Sequence, residues 1–466
     1  MNASTTTTSS ALTLAIPTQT PSLSSHLSSS HPQPPPSLSH ELLRYRTFEL
    51  QKKLLPTLLS QYNTSPKQAP MIFSRYHFSN IKPEIDPILL TGENEQNCIS
   101  SELQKLDFKP KKVTKLMRDL RTLLSKNYRT YLSNLKRLQP SSFAKIKLDT
   151  SDPSLLKLTY GGITQRINPP HFHRLQIQHG LYSNKDSSMF LVDVFTLLLR
   201  YDALSGTGFQ AAVPSPVLDN MHEQGDVRME CFASPLNHRF GRFCSAFGDV
   251  DGDFGSLGSF FEFRPTEGNF EANPPFVPSV ITRMITHINT LLTSTSSPLS
   301  FIIIVPEWKS DPCWLKINES EFLKKRITVK QKDHVYQEGS AYRRRESFRI
   351  ASFDTTVFWC QNEEGGRAYG LEEEGILRGF KGNGSIVPLE SKSEAEVTGT
   401  EKKSGSSDPH PNSQQQQQKK KKEKKRKATS SNFEALLGSA SKKEKKEKKE
   451  KKEKKEKKEK KVKKLK

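Results

Sequence analysis

Asn273-Pro274-Pro275-Phe276 stands where a run with strand character, Gly268 to Glu271, gives way to one with helix character, Val277 to Leu292. These residue types in this order can hold a planar, conjugated amine for attack on a sulfonium methyl group. The lone pair of such an amine is delocalised, so both N–H bonds need acceptors that draw the nitrogen toward tetrahedral geometry. The side-chain carbonyl of Asn273 can take one and the backbone carbonyl of Pro274 the other, with two fixed proline φ angles keeping that carbonyl aimed. Phe276 can stack on the ring that bears the amine, a contact worth roughly 1–3 kcal/mol when the partner is a base. No general base is required, because the proton departs after the nitrogen has become cationic. Asn in place of Asp keeps the site neutral beside a cationic donor. A second such sequence, Asn168-Pro169-Pro170-His171, precedes a basic helical stretch and reads as a helix start. The tetrapeptide alone is therefore not diagnostic, and its flanks decide.

The elements that must position this turn occupy only part of the chain. At 466 residues with 33% hydrophobic content, some of the polypeptide falls outside any core. The net charge of +22 is concentrated: Lys419 to Lys466 holds 25 Lys/Arg against 8 Asp/Glu, leaving +5 for the rest. That tail can bind any polyanion through counterion release, so charge alone does not assign a nucleic acid to the body. Five scattered cysteines without a CxxC pair or a zinc-spaced cluster fit a reducing compartment. The apolar stretches Phe190 to Leu199 and Leu299 to Val305 are too short to span a membrane.

Residues 1–40, rich in Ser, Thr and Pro and without Lys or Arg, read as a disordered segment. A helical domain is expected over 41–185, with amphipathic helices at Glu41 to Gln61 and Lys111 to Leu138. In the second helix Lys112, Lys115, Arg118, Arg121, Lys126 and Arg129 alternate with Val113, Leu116, Leu120, Leu123 and Leu124. Its basic face reads either as solvated surface or as a phosphate-tracking surface. Over 186–366 the pattern becomes that of an α/β domain. A buried helix is expected at Met189 to Tyr201, and strands at Phe209 to Val213, Val227 to Phe232, Phe260 to Phe263, Phe270 to Ala272 and Phe301 to Val305. The 3.6-residue recurrence from Val280 to Leu292 predicts a crossover helix. Ser347 to Ile350 and Thr355 to Gln361 read as a closing antiparallel hairpin. Residues 367–466 form a disordered Lys-rich tail, with a nuclear-import type cluster at Lys419 to Lys427 and a Lys-Lys-Glu repeat from Lys442 to Lys461 that can form an exposed helix.

An α/β domain carrying this chemistry needs a seat for S-adenosyl-L-methionine, usually with an acidic residue at the tip of the second strand. Glu230 ends the run Val227 to Glu230 and occupies that place. No glycine-rich GxGxxG loop accompanies it: the turn after the first expected strand is Val213-Pro214-Ser215-Pro216, and Gly206-Thr207-Gly208 reads as a plain turn. The Asp-rich loop Gly248 to Gly258 lacks the terminal bidentate Glu of a calcium loop, and no metal site is expected. Glu271 precedes the tetrapeptide, and Glu307-Trp308 follows the fifth expected strand; Trp308 is either a core residue or a stacking platform.

Six segments carry a resemblance: Glu230 to Asn237 (ECFASPLN), Cys244 to Phe247, Asp251 to Ser256, Phe270 to Phe276 (FEANPPF), Leu299 to Ile302, and Pro306-Glu307-Trp308. In order and spacing the chain, over roughly Met189 to Asn362, resembles the phosphorylated-CTD-interacting-factor family of cap-specific mRNA (2′-O-methyladenosine) N6-methyltransferases. The resemblance implies a Rossmann-like S-adenosylmethionine-dependent domain packed on a helical domain, with a groove for capped RNA that begins with adenosine. It implies catalytic roles for Asn273, Pro274, Pro275 and Phe276. Donor contacts are implied at Glu230, Asn237, Gln210, Pro214 and Phe254, and RNA contacts at Val277, Glu307, Trp308 and Lys309. A nuclear monomer is expected. The chain departs from the family in three ways. Its first tryptophan is Trp308, so the paired tryptophans of an early WW module are absent, and any association with the RNA polymerase II machinery is expected to be indirect. Pro278 stands where animal members have a glutamate near the donor. Lys309 stands for an arginine and gives up bidentate geometry. Methylation of another adenine in RNA or DNA, methylation of a glutamine amide, and non-catalytic RNA binding are the competing readings.

Overall fold

The computed structural model describes residues 36–61, 69–80, 85–93, 103, 108–138, 145–204, 211–343, 348–370 and 373–381. Residues 1–35, the turn at Gly206 to Gly208, Gln210, the glutamine run, the basic cluster at Lys419 to Lys427 and the Lys-Lys-Glu repeat lie outside the described residues.

The first half is built from helices α1 (Leu38–Gln61), α2 (Ala69–Asn80) and α3 (Pro110–Leu135). Helix α3 starts on a proline, whose fixed φ and missing N–H suit the first turn. It buries Val113, Leu116, Met117, Leu120, Leu124 and Tyr131 at 3–4-residue spacing. A three-stranded antiparallel meander then interrupts the expected helical region: β1 (Lys147–Asp149), β2 (Leu156–Tyr160) and β3 (Ile163–Ile167). Gly161 and Gly162, with φ of 55° and 77°, make the two-residue turn between β2 and β3 that only such positive angles allow. Helix α4 (Pro169–Tyr182) begins as expected at the Asn168-Pro-Pro sequence, where the Asn168 side chain accepts from the His171 N–H at 3.0 Å. Helix α5 (Phe190–Ala203) is the expected buried helix.

The second half centres on a six-stranded mixed sheet in the order β5-β4-β6-β7-β11-β8. Its strands are β4 (Met229–Glu230), β5 (Arg242–Phe243), β6 (Gly268–Ala272), β7 (Leu299–Pro306), β8 (Leu323–Val329) and β11 (Thr355–Gln361). The first four are parallel, and β11 lies antiparallel between β7 and β8. Strand β7 is buried at every position, as a central strand covered on both faces must be. Phe301, Ile303 and Val305 face helix α8 (Pro278–Ser294), which supplies Ile281, Met284, Ile285 and Ile288. Ile302 and Ile304 face the opposite layer, with Val217, Leu218 and Met221 of α6 (Ser215–Gly225) and Ile376 and Phe380 of Glu374–Lys381, the last described helix. The architecture is therefore α/β, with helices on both faces of a mixed sheet.

Four sequence expectations are corrected. The tail expected to be disordered from 367 carries the helix Glu374–Lys381, whose Ile376 and Phe380 are apolar enough to be buried with Val217 and Leu218 of α6. Phe209 to Val213 is not a sheet strand; of its described residues only Ala212 makes an isolated bridge, to Gln337. Phe260 to Phe263 is a 3-10 turn capped by Ser259, whose closely spaced aromatics fill the core rather than alternate across a sheet. The closing hairpin is not one. Strand β10 (Phe348–Ile350) pairs with β9 (Val335–Gln337), while β11 finds its partners in β7 and β8. The apolar β11, buried throughout, gains more by entering the main sheet than by pairing with the exposed β10.

The helical half is bound to the loops of the sheet by a buried ionic network. Arg200 of α5 makes two bonds of 2.8 Å to the Glu41 carboxylate of α1 and bonds of 3.0 and 2.9 Å to Asp249 of the short helix α7 (Gly248–Asp251). Arg44 adds a second contact to Glu41 and a 3.1 Å bond to Asp86. Burial alone would raise the Glu41 carboxyl; Arg200 and Arg44 outweigh it and hold it at about 2, from an ordinary 4.5. Arg200→Ala leaves Glu41 with Arg44 alone and takes from Asp249 its Arg200 partner, and is expected to cost about 3–5 kcal/mol in denaturant unfolding at neutral pH. Because folding lowers the Glu41 value, its contribution is complete above pH 4.5 and is lost as pH falls toward about 2. That acid loss should shrink in Arg200→Ala; an unchanged unfolding free energy in the variant would show that the network does not brace the fold.

Candidate active site

From β4 the chain runs outward to edge strand β5, then returns past β4 to β6 and on to β7. Connections leaving two neighbouring parallel strands in opposite directions open a crevice at their carboxyl ends, where open α/β sheets bind ligands. Glu230 ends β4 and is paired in register with Glu271 of β6. Asn273 to Phe276 follows β6 directly. The two functional segments expected from sequence therefore meet at one switch point. Glu230 stands on the first strand of the sheet rather than the second, because the 209–213 segment does not enter it.

Asn273 is 8% exposed. Its Nδ2 donates to the Ala211 carbonyl at 3.3 Å, which fixes the sense of the amide, since a flipped group would set oxygen against oxygen. Oδ1 is left buried with no hydrogen-bond partner among the described residues. The Ala211 carbonyl is held in turn by its neighbour: Ala212 and Gln337 of β9 exchange two backbone bonds of 2.9 Å. Pro274 is buried, and its carbonyl accepts no bond among the described residues; the turn closes one residue later, where Val277 N–H donates to Pro275 O at 2.7 Å. Pro278 then opens α8. The half-buried Phe276 ring is steadied edge-on by Tyr336 and Phe353, at centroid distances of 5.9 and 5.4 Å. Two acceptor oxygens and a braced aromatic ring thus cluster at one turn.

The loop after β4 is shaped by Glu230 itself. Its Oε2 accepts the backbone N–H groups of Arg239 at 2.7 Å and Phe240 at 3.2 Å, leaving Oε1 without a bond among the described residues. From α4, Arg174 donates to the carbonyls of Leu236 and His238, each at 3.1 Å. Gln178 Nε2 lies 2.6 Å from His238 Nε2, and His238 Nδ1 lies 2.7 Å from the Phe240 carbonyl. Only a neutral imidazole with its proton on Nδ1 satisfies both contacts, and burial holds the His238 pKa well down in agreement. Burial also pushes Glu230 up to about 7, against the two backbone N–H groups and Arg174. Glu271 is pushed well up, first by burial and then by the Glu230 charge. Its Oε1 has no partner, so of the two carboxyls Glu271 keeps the proton.

The remaining expected residues divide. Glu307, Trp308 and Lys309 lie at the carboxyl end of β7, on the same edge of the sheet as the turn. Glu307 Oε1 accepts from Thr328 Oγ1 at 2.6 Å and from Lys309 Nζ at 3.2 Å, Trp308 is half-buried on the α8 side, and Lys309 is exposed. Pro214 is a buried cap of α6, and Val277 is a buried cap of α8. Asn237 spends its Oδ1 on the N–H and hydroxyl of Ser234, both at 2.8 Å, and so staples the loop. Phe254 is the clear correction. It is sealed at 0% exposure in the core shared with α4 and α5, against His179, and offers no surface to a ligand. Sequence reasoning missed Ala211, Arg174, Gln178, Tyr336 and Phe353. Only Arg174 and Gln178, four apart on a helix, carried a visible signal.

This is an α/β protein whose switch-point crevice holds an Asn-Pro-Pro-Phe turn and a buried acidic pair. Residues 171–339, from α4 through β9, match the family model described as phosphorylated CTD interacting factor 1 WW domain. The chain is 35% identical over 233 residues to the mouse mRNA (2′-O-methyladenosine-N(6)-)-methyltransferase, covering 47% of this chain and 33% of that protein. It is 36% identical over 220 residues to the human protein of the same name, covering 45% and 31%. The chain thus spans about a third of the length of the curated relatives it matches. The resemblance read from the motifs is found by both comparisons.

Glu271 gives a test of the site's electrostatics. A carboxyl that stays protonated when folded binds more protons than in the unfolded chain above pH 4.5, so its contribution to stability falls as pH rises from there. Glu271→Gln, which keeps the shape and removes the titration, should gain stability over the parent between pH 5 and pH 8 in paired denaturation curves. An equal difference at both pH values would mean that Glu271 is ionised in the fold.

Proposed function

We propose that this chain is a Rossmann-like methyltransferase that moves a methyl group from S-adenosyl-L-methionine to N6 of the cap-adjacent (2′-O-methyl)adenosine of capped mRNA. In this reading residues 186–366 are the methyltransferase domain and 41–185 the helical domain. The carrying observation is Asn273, whose buried Oδ1 has no partner while its Nδ2 is committed to Ala211. An orphaned buried carbonyl costs about 1–3 kcal/mol, and an incoming N–H repays it. The names of the mouse and human relatives supply the substrate class.

The residues fit the donor. Glu230 Oε1, unbonded and bordering the crevice, suits ribose hydroxyl groups, and a cation nearby would favour the ionised form that burial disfavours. When bound, the donor supplies an electrophilic methyl group on sulfonium sulfur. Asn273 Oδ1 and the Pro274 carbonyl accept the two N–H bonds of the adenine amine, which frees the nitrogen lone pair. Phe276, held by Tyr336 and Phe353, stacks on the base and orients it. Glu271, neutral, adds no charge that would draw the amine away. The proton leaves the product nitrogen without a base of its own. At the carboxyl end of β7, Trp308 and Lys309 are assigned to the RNA end, and nuclear import is assigned to Lys419 to Lys427.

Asn273→Ala should lower turnover by about 10²–10³, the loss typical of one preorganised group, with RNA affinity little changed. The assay is radiolabelled methyl transfer to capped, adenosine-initiated RNA, with mass spectrometry of the released cap dinucleotide. Full activity in the variant would remove the site. Equal activity on uncapped RNA would move the reaction to another adenine.

A further inference from the structure

The catalytic reading leaves the basic face of α3 without a role. Its apolar face is spent on the core, while Thr114, Arg118, Arg121, Thr122, Ser125 and Arg129 recur every 3–4 residues along a different face. That face lines a concavity of about 400 Å³, bordered across from the helix by Gly92. Gly92 has φ of +77°, and a Cβ there would lie 2.5 Å from both the Arg121 carbonyl oxygen and Ser125 Oγ. Only glycine can bring the chain so close to the helix. The helix carries seven Lys/Arg against the single acid Asp119, whose carboxylate is 3.8 Å from Arg118 Nε. The Arg118 side chain is 73% exposed.

We propose that this pocket binds a phosphate of the RNA backbone. That the polymer is RNA rests on the reading above; that the ligand is a phosphate rests on the pocket. Guanidinium groups present paired donors in a plane that matches phosphate oxygens. A polymer is favoured over a small phosphorylated molecule because the charge does not end at the pocket. Lys111, Lys112 and Lys115 continue it toward one end of the helix and Lys126 lies between Ser125 and Arg129, so successive phosphates meet successive cations along a helix of 26 residues. The open, exposed setting of Arg118 suits a strand that passes through rather than a ligand that is enclosed.

The test is arginine modification by phenylglyoxal on the full chain, mapped by peptide mass spectrometry, with and without an uncapped oligoribonucleotide. Modification of Arg118 and Arg129 should slow several-fold on RNA binding, while the exposed Arg228 on the sheet side serves as the unprotected reference. In the Arg118→Gln/Arg129→Gln double variant the slope of log affinity against log salt should fall by about 0.7, the share of the one single-strand phosphate held in the pocket. Unchanged modification rates with RNA bound would overturn the proposal. So would protection by inorganic phosphate with none by RNA, which would assign the pocket to a small phosphorylated ligand. Neither readout uses methyl transfer, so an inactive enzyme would defeat the catalytic reading and leave this result standing.

Discussion

Strands β4 and β6 pair through Glu230 and Glu271, so two carboxyl groups leave the same face of the sheet side by side at its carboxyl edge. They cannot both be ionised where burial removes water. The division between them organises what surrounds it. Glu230, with two backbone N–H groups on one oxygen, ties down the loop from Ser234 to Phe240 and keeps its other oxygen open. Glu271 holds a proton and leaves the neighbouring turn uncharged. Two residues beyond it on the same face comes Asn273, so the strand period that sets the carboxyl pair also sets the amide.

The crevice is assembled from elements that are distant in sequence, and each secures one part of it. Helix α4 contributes Arg174 and Gln178, which bond the loop after β4 through its carbonyls and His238. The β9–β10 ribbon contributes Gln337, which fixes the backbone beside Ala211, and Tyr336, which fixes Phe276. Helices α1 and α5 act at longer range, through the Glu41–Arg200–Asp249 network that anchors the 248–251 turn. Tyr201 repeats the connection with a 2.6 Å bond to Asp251. The helical half and the sheet consequently share a core, in which Leu236, Phe247 and Phe254 pack with residues of α1, α4 and α5.

Much of this was legible in the chain. The Asn168-Pro-Pro sequence marked the start of α4, and apolar recurrence gave α1, α3, α5 and α8 to within a few residues. Continuous apolar runs gave β7 and β11. The errors share a cause. Phe260 to Phe263 and Phe209 to Val213 are apolar enough for strands, but a short apolar run states only that it is buried, not against what. The hairpin failed for the same reason: strand character in β10 and β11 was real, and the choice of partner was not written locally. The meander β1–β3 was missed although Gly161-Gly162 marks its turn.

By itself the sequence determined that residues 273–276 form a rigid prolyl turn between a strand and a helix, because proline fixes φ and cannot donate to a sheet or a helix interior. It also determined the acidic residue that ends β4 and the continuous apolar run that buries both faces of β7. Tertiary structure decided which way the Asn273 amide points, since the Ala211 carbonyl that orients it arrives from 62 residues away. It likewise decided that Glu271 keeps a proton while Glu230 organises a loop, and that Phe254 is core. A hydrogen-bond partner, a register and a neighbouring charge are relations between segments, and the fold brings those segments together.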